Sequence, residues 1–260
     1  NYFRFMSFTI LKLSGFVLDS DEQIALIPKM VKKLTVNNSH LIIVHGAGKQ
    51  VDRACEDRSI PIQKIAGRRI TSEPIMNLML ELVHGKLNRN IVQKLIENKF
   101  AAIGVTSADA NMMQFVKRPP KLINGELVDF GYVGDFVSVQ PEAIEKLSQC
   151  GIPVVSCIGF DSNFGWLNVN ADTITKELAK GVQATNVLMA SETAGVKNAN
   201  GEWMKTISVQ EIKKGILEGW IKDGMIVKLE QAADLVKQGI SVQIGTIEGL
   251  VQDRGTFVIS

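Results

Sequence analysis

Leu41-Ile42-Ile43-Val44-His45-Gly46-Ala47-Gly48-Lys49-Gln50-Val51-Asp52 is the stretch on which the fold turns. Leu41–His45 reads as a buried strand. Three small residues follow, and the chain then takes up a helical pattern running to about Asp57. A strand that passes into a helix through a small-residue turn is half of a β-α-β unit. Such a turn exposes backbone N–H groups beside a helix N-terminus, which favours an anion. The same composition also serves a plain tight turn, and the segment alone supports either reading. It is not a Walker A loop: Gln50 follows Lys49, and the required upstream glycine is missing.

Outward from this stretch, apolar runs alternate with amphipathic ones. Phe8–Leu13, Ala101–Val105, Pro153–Cys157, Asn186–Ala190, Val242–Gly245 and Thr256–Ser260 read as strands. Asp21–Leu34, Glu73–Asn98, Glu142–Cys150, Asp172–Lys180, Val209–Glu218 and Met225–Gln238 read as helices. Pro74 suits the first turn of the long Glu73–Asn98 helix, with Ser72 or Thr71 as its cap. The alternation predicts an α/β fold, a mainly parallel sheet covered by helices on both faces. The middle differs. Met113–Val116 and Lys121–Phe136 alternate around Asn124-Gly125, a hairpin signal, and Gly159–Leu167 reads as a second turn or hairpin. A lobe boundary is expected near residues 155–170, with one continuous sheet across both lobes.

At 260 residues and 45% hydrophobic content, the chain can bury a large core, as one domain or two lobes. The charges nearly cancel, at +2, and no basic run stands out, so no nucleic-acid surface is indicated. No segment reaches the roughly 18 apolar residues of a membrane span. The N-terminus lacks a signal peptide's cleavage site; Met6 is a candidate start, with Asn1–Phe5 added in front of it. Cys55, Cys150 and Cys157 are odd in number and fit no zinc spacing, which points to a reduced, cytosolic compartment and buried thiols. His40, His45 and His84 show no ligand spacing.

Four places carry charge where chemistry could use it. Lys12 ends the first strand, where strand carboxyl ends face the ligand crevice of a doubly wound sheet; a solvated lysine is the plain alternative. Asp172 stands near a helix start, behind Asn168 and Asn170, and either caps that helix or holds a cation. Lys228 lies one turn inside a helix, facing water or a ligand. Arg68 and Arg69 are adjacent in an extended segment and so point to opposite sides, one of them free to grip a carboxylate.

Taken in order, ILKLSG (10–15), VHGAGKQVD (44–52), AGRRIT (66–71), PVVSCIGF with GWLNVNADT (153–160 and 165–173), LMASETAGV (188–196) and KDGMIVKLEQA (222–232) resemble the amino acid kinase family. The resemblance runs from about Thr9 to Phe257. It is closest to the short bacterial members that act on N-acetyl-L-glutamate. It implies a three-layer α/β/α sandwich, with residues 1–160 holding the acyl amino acid and a dimer contact, and residues 161–260 holding ATP. It implies that Lys12 and Lys228 stabilise the moving phosphoryl group while Asp172 orients both. Gly46, Ala47, Arg69 and Asn168 would bind the acceptor, Arg69 through its α-carboxylate. Ser14, Gly15, Gly48, Ser191, Glu192, Gly195 and Met225 would lie beside the phosphates and nucleotide, with Gly15, Gly46, Ala47 and Gly48 offering N–H groups to the phosphates. ATP would enter with Mg2+ as co-substrate, with no resident metal. The product would be an acyl phosphate. A cytoplasmic homodimer without arginine feedback is expected, because the N-terminus lacks the extra helix of the hexameric forms.

The chain departs from the family pattern at Ser14 and Ala47, where glycine is usual, and at Glu192, where aspartate is usual. Other acceptors on the same fold are another acyl amino acid, carbamate, isopentenyl phosphate or UMP. A ligand-sensing protein with eroded catalysis is the non-enzymatic alternative. Lys49-Gln50-Val51-Asp52 stands where the isopentenyl branch carries Ser-Phe-Gly-His, which counts against that branch.

Overall fold

Aliphatic, largely β-branched segments pair into one eight-stranded sheet in the computed structural model, which describes residues 7–36, 39–222 and 224–260. In chain order its strands are β1 (Phe8–Leu13), β2 (His40–His45), β3 (Ala102–Thr106), β4 (Ile152–Ser156), β5 (Asn186–Ala190), β6 (Thr206–Ser208), β7 (Ser241–Gly245) and β8 (Thr256–Ile259). Their spatial order is β6-β8-β7-β5-β1-β2-β4-β3. All neighbours run parallel except β7 and β8. Helices cover both faces, as a parallel sheet requires. Ile27–Leu34, Arg89–Glu97 and Ile247–Val251 pack together in one layer; Ala171–Gly181, Val209–Leu217 and Gly224–Val236 pack in the other.

β1 lies mid-sheet with every residue buried. The chain moves from β1 to β2 on one side and later returns to β5 on the other. The order therefore reverses at β1, and the carboxyl ends of β1, β2 and β5 open the crevice where ligands bind in such sheets.

Two helices differ from the sequence expectation. The Asp21–Leu34 helix breaks into Asp21–Ile24 and Ile27–Leu34. Pro28 lacks an N–H donor and fits only a first turn, so it starts the second piece. The Glu73–Asn98 helix is helical to Glu97, but Leu80–Asn88 is a π segment. In this wider turn the Asn88 amide donates to Val154 O of β4 (2.8 Å) and meets His45 Nε2 (3.1 Å). Sites of function often carry such segments.

The Asn124-Gly125 hairpin forms between Lys121–Ile123 and Glu126–Val128, with φ of 50° and 87° at its turn, the pair of left-handed residues a type I′ turn needs. Ile158–Asp161 and Gly165–Asn168 form the second hairpin. Strand β6 and Gln63–Ile65 are not anticipated, since three residues without a turn signal leave too little alternation to read; the extended Arg68–Ile70 segment pairs with Gln63–Ile65 as a hairpin. Asn1–Phe5 and Met6 lie outside the described residues. Among the described residues, no helix is long and apolar enough to cross a membrane. Cys55 and Cys157 are buried and Cys150 is exposed, all three as free thiols.

Candidate active site

The crevice is built from the end of β1. Lys12 occupies its penultimate position and is only 6% exposed. A buried ammonium needs a partner, and Asp172 supplies one at 2.7 Å. Asp172 sits in the first turn of Ala171–Gly181. The cap of that helix is Asn170, whose Oδ1 accepts the Asp172 N–H at 2.7 Å. Capping is thus done by Asn170, and the Asp172 carboxylate is left for Lys12.

The small-residue turn after β2 partly corrects the expectation. The Gly46 N–H donates to Leu13 O (3.2 Å), extending the β1–β2 pairing, so it is not available to a ligand. The Ser14 N–H is likewise committed, to Ala190 O (3.0 Å). The helix Gly48–Asp57 closes its first bond from Val51 N to Ala47 O (2.9 Å), so the N–H groups of Gly48, Lys49 and Gln50 precede the ladder, as in any helix first turn. Gln50 ties this helix to the β1 loop by donating to Gly15 O (2.5 Å) and Asp19 Oδ1 (2.7 Å). His45 is fully buried beneath the turn, and burial pushes its imidazole down to about 4. It is neutral at pH 7, and its Nε2 meets the Asn88 amide at 3.1 Å.

Two cavities meet at Ser14, Gly15 and Gly48. The first, about 290 Å³, is lined by Lys12, Asp172, Gly46, Ala47, Arg69 and Asn168, with Val51, Met79, Val83, Cys157 and Val169 as apolar wall. The second, about 550 Å³, is lined by Lys228, Ser191, Glu192 and Met225, with Phe16, Lys49, Thr193 and Lys222. Gly195 is the one residue expected here that does not line either cavity. It stands behind the Ser191–Thr193 loop, where its carbonyl accepts from Thr193 Oγ1 (3.2 Å). The Ser14 hydroxyl is buried at the shared lip with no partner among the described residues.

Of the two arginines, Arg68 is exposed and Arg69 faces the first cavity, with its side chain 10% exposed. Arg69 Nε and Nη2 donate to Asp52 Oδ1 (3.1 and 2.7 Å), and Nη2 also donates to Gly48 O (2.8 Å). Lys64 Nζ takes the other oxygen of Asp52 at 2.8 Å. Burial pushes the Asp52 carboxyl up, but Lys64 and Arg69 outweigh it and hold it below the usual range. Asn168 donates to Thr71 Oγ1 (2.9 Å), leaving its second amide hydrogen and its carbonyl for a ligand.

Lys228 stands across the lip from the Lys12–Asp172 pair. Burial, and then Lys12 as a like charge, push its ammonium down to about 8, against the pull of Asp172 and Glu192. The geometry therefore sets a paired lysine and a fixed arginine in the first cavity and a second lysine in the cavity that adjoins it. That arrangement suits neutralising a phosphoryl group passing between two anions.

The sequence profile of the amino acid kinase family matches residues 7–246. The chain belongs to the amino acid kinase family. This kinase is similar to an acetylglutamate kinase of Cytophaga hutchinsonii, 36% identical over 254 residues, covering 94% of this chain and 92% of the relative. It is also similar to an acetylglutamate kinase of Anaeromyxobacter sp. (strain K), 30% identical, covering 96% and 97% of the two chains. Among solved structures, smu.665 of Streptococcus mutans UA159 superposes with a TM-score of 0.80 at 25% identity, covering 97% of this kinase and 98% of that chain.

Sequence reasoning missed Asp52, which fixes Arg69, and the apolar wall from Val51, Met79 and Val83. The wall residues carry only the helical spacing that any core residue has. Asp52 did carry a signal: it lies one turn beyond Gly48, on a helix leading away from the site.

Proposed function

We propose that this kinase transfers the γ-phosphoryl group of ATP to the side-chain carboxylate of N-acetyl-L-glutamate, giving an acyl phosphate in arginine biosynthesis. One observation carries the reading: a cavity with a fixed arginine, an apolar wall and the Lys12–Asp172 pair meets a groove lined by Lys228 at a lip of Ser14, Gly15 and Gly48. Its likeness to acetylglutamate kinases over nearly their whole length supports the choice of acceptor.

In this scheme Arg69, held by Asp52, grips the α-carboxylate, and Asn168 assists. The wall of Val51, Met79 and Val83 takes the acyl group. The γ-carboxylate is ionised at neutral pH, so no general base is needed. Lys12 and Lys228 oppose the charge that builds on the moving group and on the leaving phosphate. Asp172 keeps Lys12 in place, and its pull on Lys228 is electrostatic rather than a direct ion pair. Residues 1–160 then serve the acceptor and a dimer contact through the 73–97 helical stretch, and residues 161–260 serve ATP. Mg2+ rides on the nucleotide as part of the co-substrate. We place the enzyme in the cytoplasm as a homodimer, which sedimentation at twice the mass of one chain would support.

ADP release in a coupled assay, with ATP, Mg2+ and N-acetyl-L-glutamate, tests the reaction. Turnover that depends on the acetylated amino acid is expected. No turnover with it, alongside turnover with carbamate or isopentenyl phosphate, would refute the substrate.

A further inference from the structure

Lys49 is a cation in an unfavourable place for its own helix. It is the second residue of Gly48–Asp57, where the exposed N–H groups and the helix dipole disfavour positive charge. An anion nearby accounts for it. Lys49 Nζ lies 2.9 Å from Glu192 Oε2, in the loop just beyond β5. The pair spans the second cavity, which Gly15, Lys222, Met225 and Lys228 also line. Both side chains are more than half exposed, 66% and 53%, and an exposed pair in water holds weakly. A polyphosphate entering the cavity carries more charge than one carboxylate and reaches the same ammonium.

We propose that Lys49 is a phosphate-binding residue of this kinase: Glu192 holds it across the groove while the groove is empty, and the terminal phosphates of a nucleoside triphosphate take it over. The inference rests on the reading of the second cavity as the nucleotide site. It gives Glu192 a defined task, that of parking the cation.

Titration calorimetry with AMP-PNP and Mg2+ tests it on the unmodified enzyme, on Lys49→Met and on Glu192→Gln, with AMP as the control ligand. Lys49→Met should weaken AMP-PNP by about 5- to 30-fold, the range of one charge-assisted contact at a partly wet site, and leave AMP unchanged. Glu192→Gln breaks the same bridge but frees the lysine, so it should tighten AMP-PNP by about 2- to 5-fold through loss of a competing anion. Opposite signs from two variants that break one bridge are the signature of a cation meant for phosphate. Equal affinity in Lys49→Met, or loss of affinity in both variants, overturns the proposal, the second outcome making the bridge a structural clamp. Absence of AMP-PNP binding to the unmodified enzyme overturns the nucleotide reading and this proposal with it.

Discussion

Asp172→Asn isolates the electrostatics of the site. The substitution keeps the side chain's shape, and the backbone N–H that Asn170 caps is untouched. What it removes is the negative charge 2.7 Å from the Lys12 ammonium. At an effective dielectric constant of about 20, that pair attracts by about 6 kcal/mol. Desolvation of the two ions, with side chains 8% and 21% exposed, offsets most of this in the native enzyme. In the variant the desolvation of Lys12 stays and the attraction goes. Lys12 also faces Lys228 with no anion between them. A net loss of about 2 kcal/mol at pH 7 follows, below the 3–5 kcal/mol of a fully buried pair because Asp172 is partly wet. For a chain of this size that is a fall in Tm of about 4–8 °C by calorimetry. A double-mutant cycle with Lys12→Met sharpens the test. Removing both charges leaves no orphaned ammonium, so the double variant should recover at least about 1 kcal/mol relative to the sum of the singles. Additive effects, or a Tm for Asp172→Asn within about 1 °C of the parent, would refute the claim that Asp172 holds Lys12.

Lys228 should shape the pH profile. Below about pH 8 its ammonium is charged and attracts phosphate; above it the charge is lost, so kcat/KM for ATP should fall as pH rises through that value. Lys228→Arg, whose guanidinium stays charged, should lose this limb; a limb that persists in the variant belongs to another group. Arg69→Met should raise KM for the acceptor by about 10- to 100-fold, the worth of one bidentate charge-assisted contact, with a smaller change in kcat; an unchanged KM would exclude Arg69 from the acceptor site. Iodoacetamide at pH 8 should add one label per native chain, at exposed Cys150. Burial shields Cys55 and pushes the Cys157 thiol up to about 11, so labelling of either by mass spectrometry would contradict the packing.

The strands were legible because they are runs of aliphatic residues ended by small or turn-forming ones, and Asn124-Gly125 announced its hairpin outright. Three-residue strands with no such turn signal, Thr206–Ser208 and Gln63–Ile65, were not, because their stability comes from neighbours rather than from their own pattern. The π segment over Leu80–Asn88 keeps an apolar spacing that an α-helix would also satisfy, so only the three-dimensional contacts of Asn88 reveal it. In the site, Lys12 and Asp172 each had a plainer local reading, and the order of the surrounding motifs brought them together on paper before the 2.7 Å contact did so in space. The Gly46 N–H could not be assigned from sequence, since its bond to Leu13 O depends on the register of β1 against β2. Asp52 showed only its place one turn beyond Gly48, and its partner could not be read, because it meets Arg69 across a helix and a hairpin, 17 residues apart.

A common device emerges from the cations around the two cavities. A site for a triphosphate and a dicarboxylate gathers positive charge, and most of it here is held by carboxylates of the protein itself. Lys12, Arg69 and Lys49 each have a carboxylate in waiting, from Asp172, Asp52 and Glu192 at 2.7, 2.7 and 2.9 Å. These pairs hold the side chains in position, which lowers the reorganisation needed when substrates arrive. They differ in burial, and burial decides which can exchange. Lys12 and Arg69 are nearly enclosed and keep their partners as fixed supports, whereas Lys49 and Glu192 stand in water and part cheaply. Lys228 is a half-buried lysine for which the described residues supply no ion pair, and it is also the one whose ammonium falls to about 8. Its missing counter-charge is the one the nucleotide brings, so phosphate binding and full protonation of Lys228 are coupled: each should strengthen the other by the same factor.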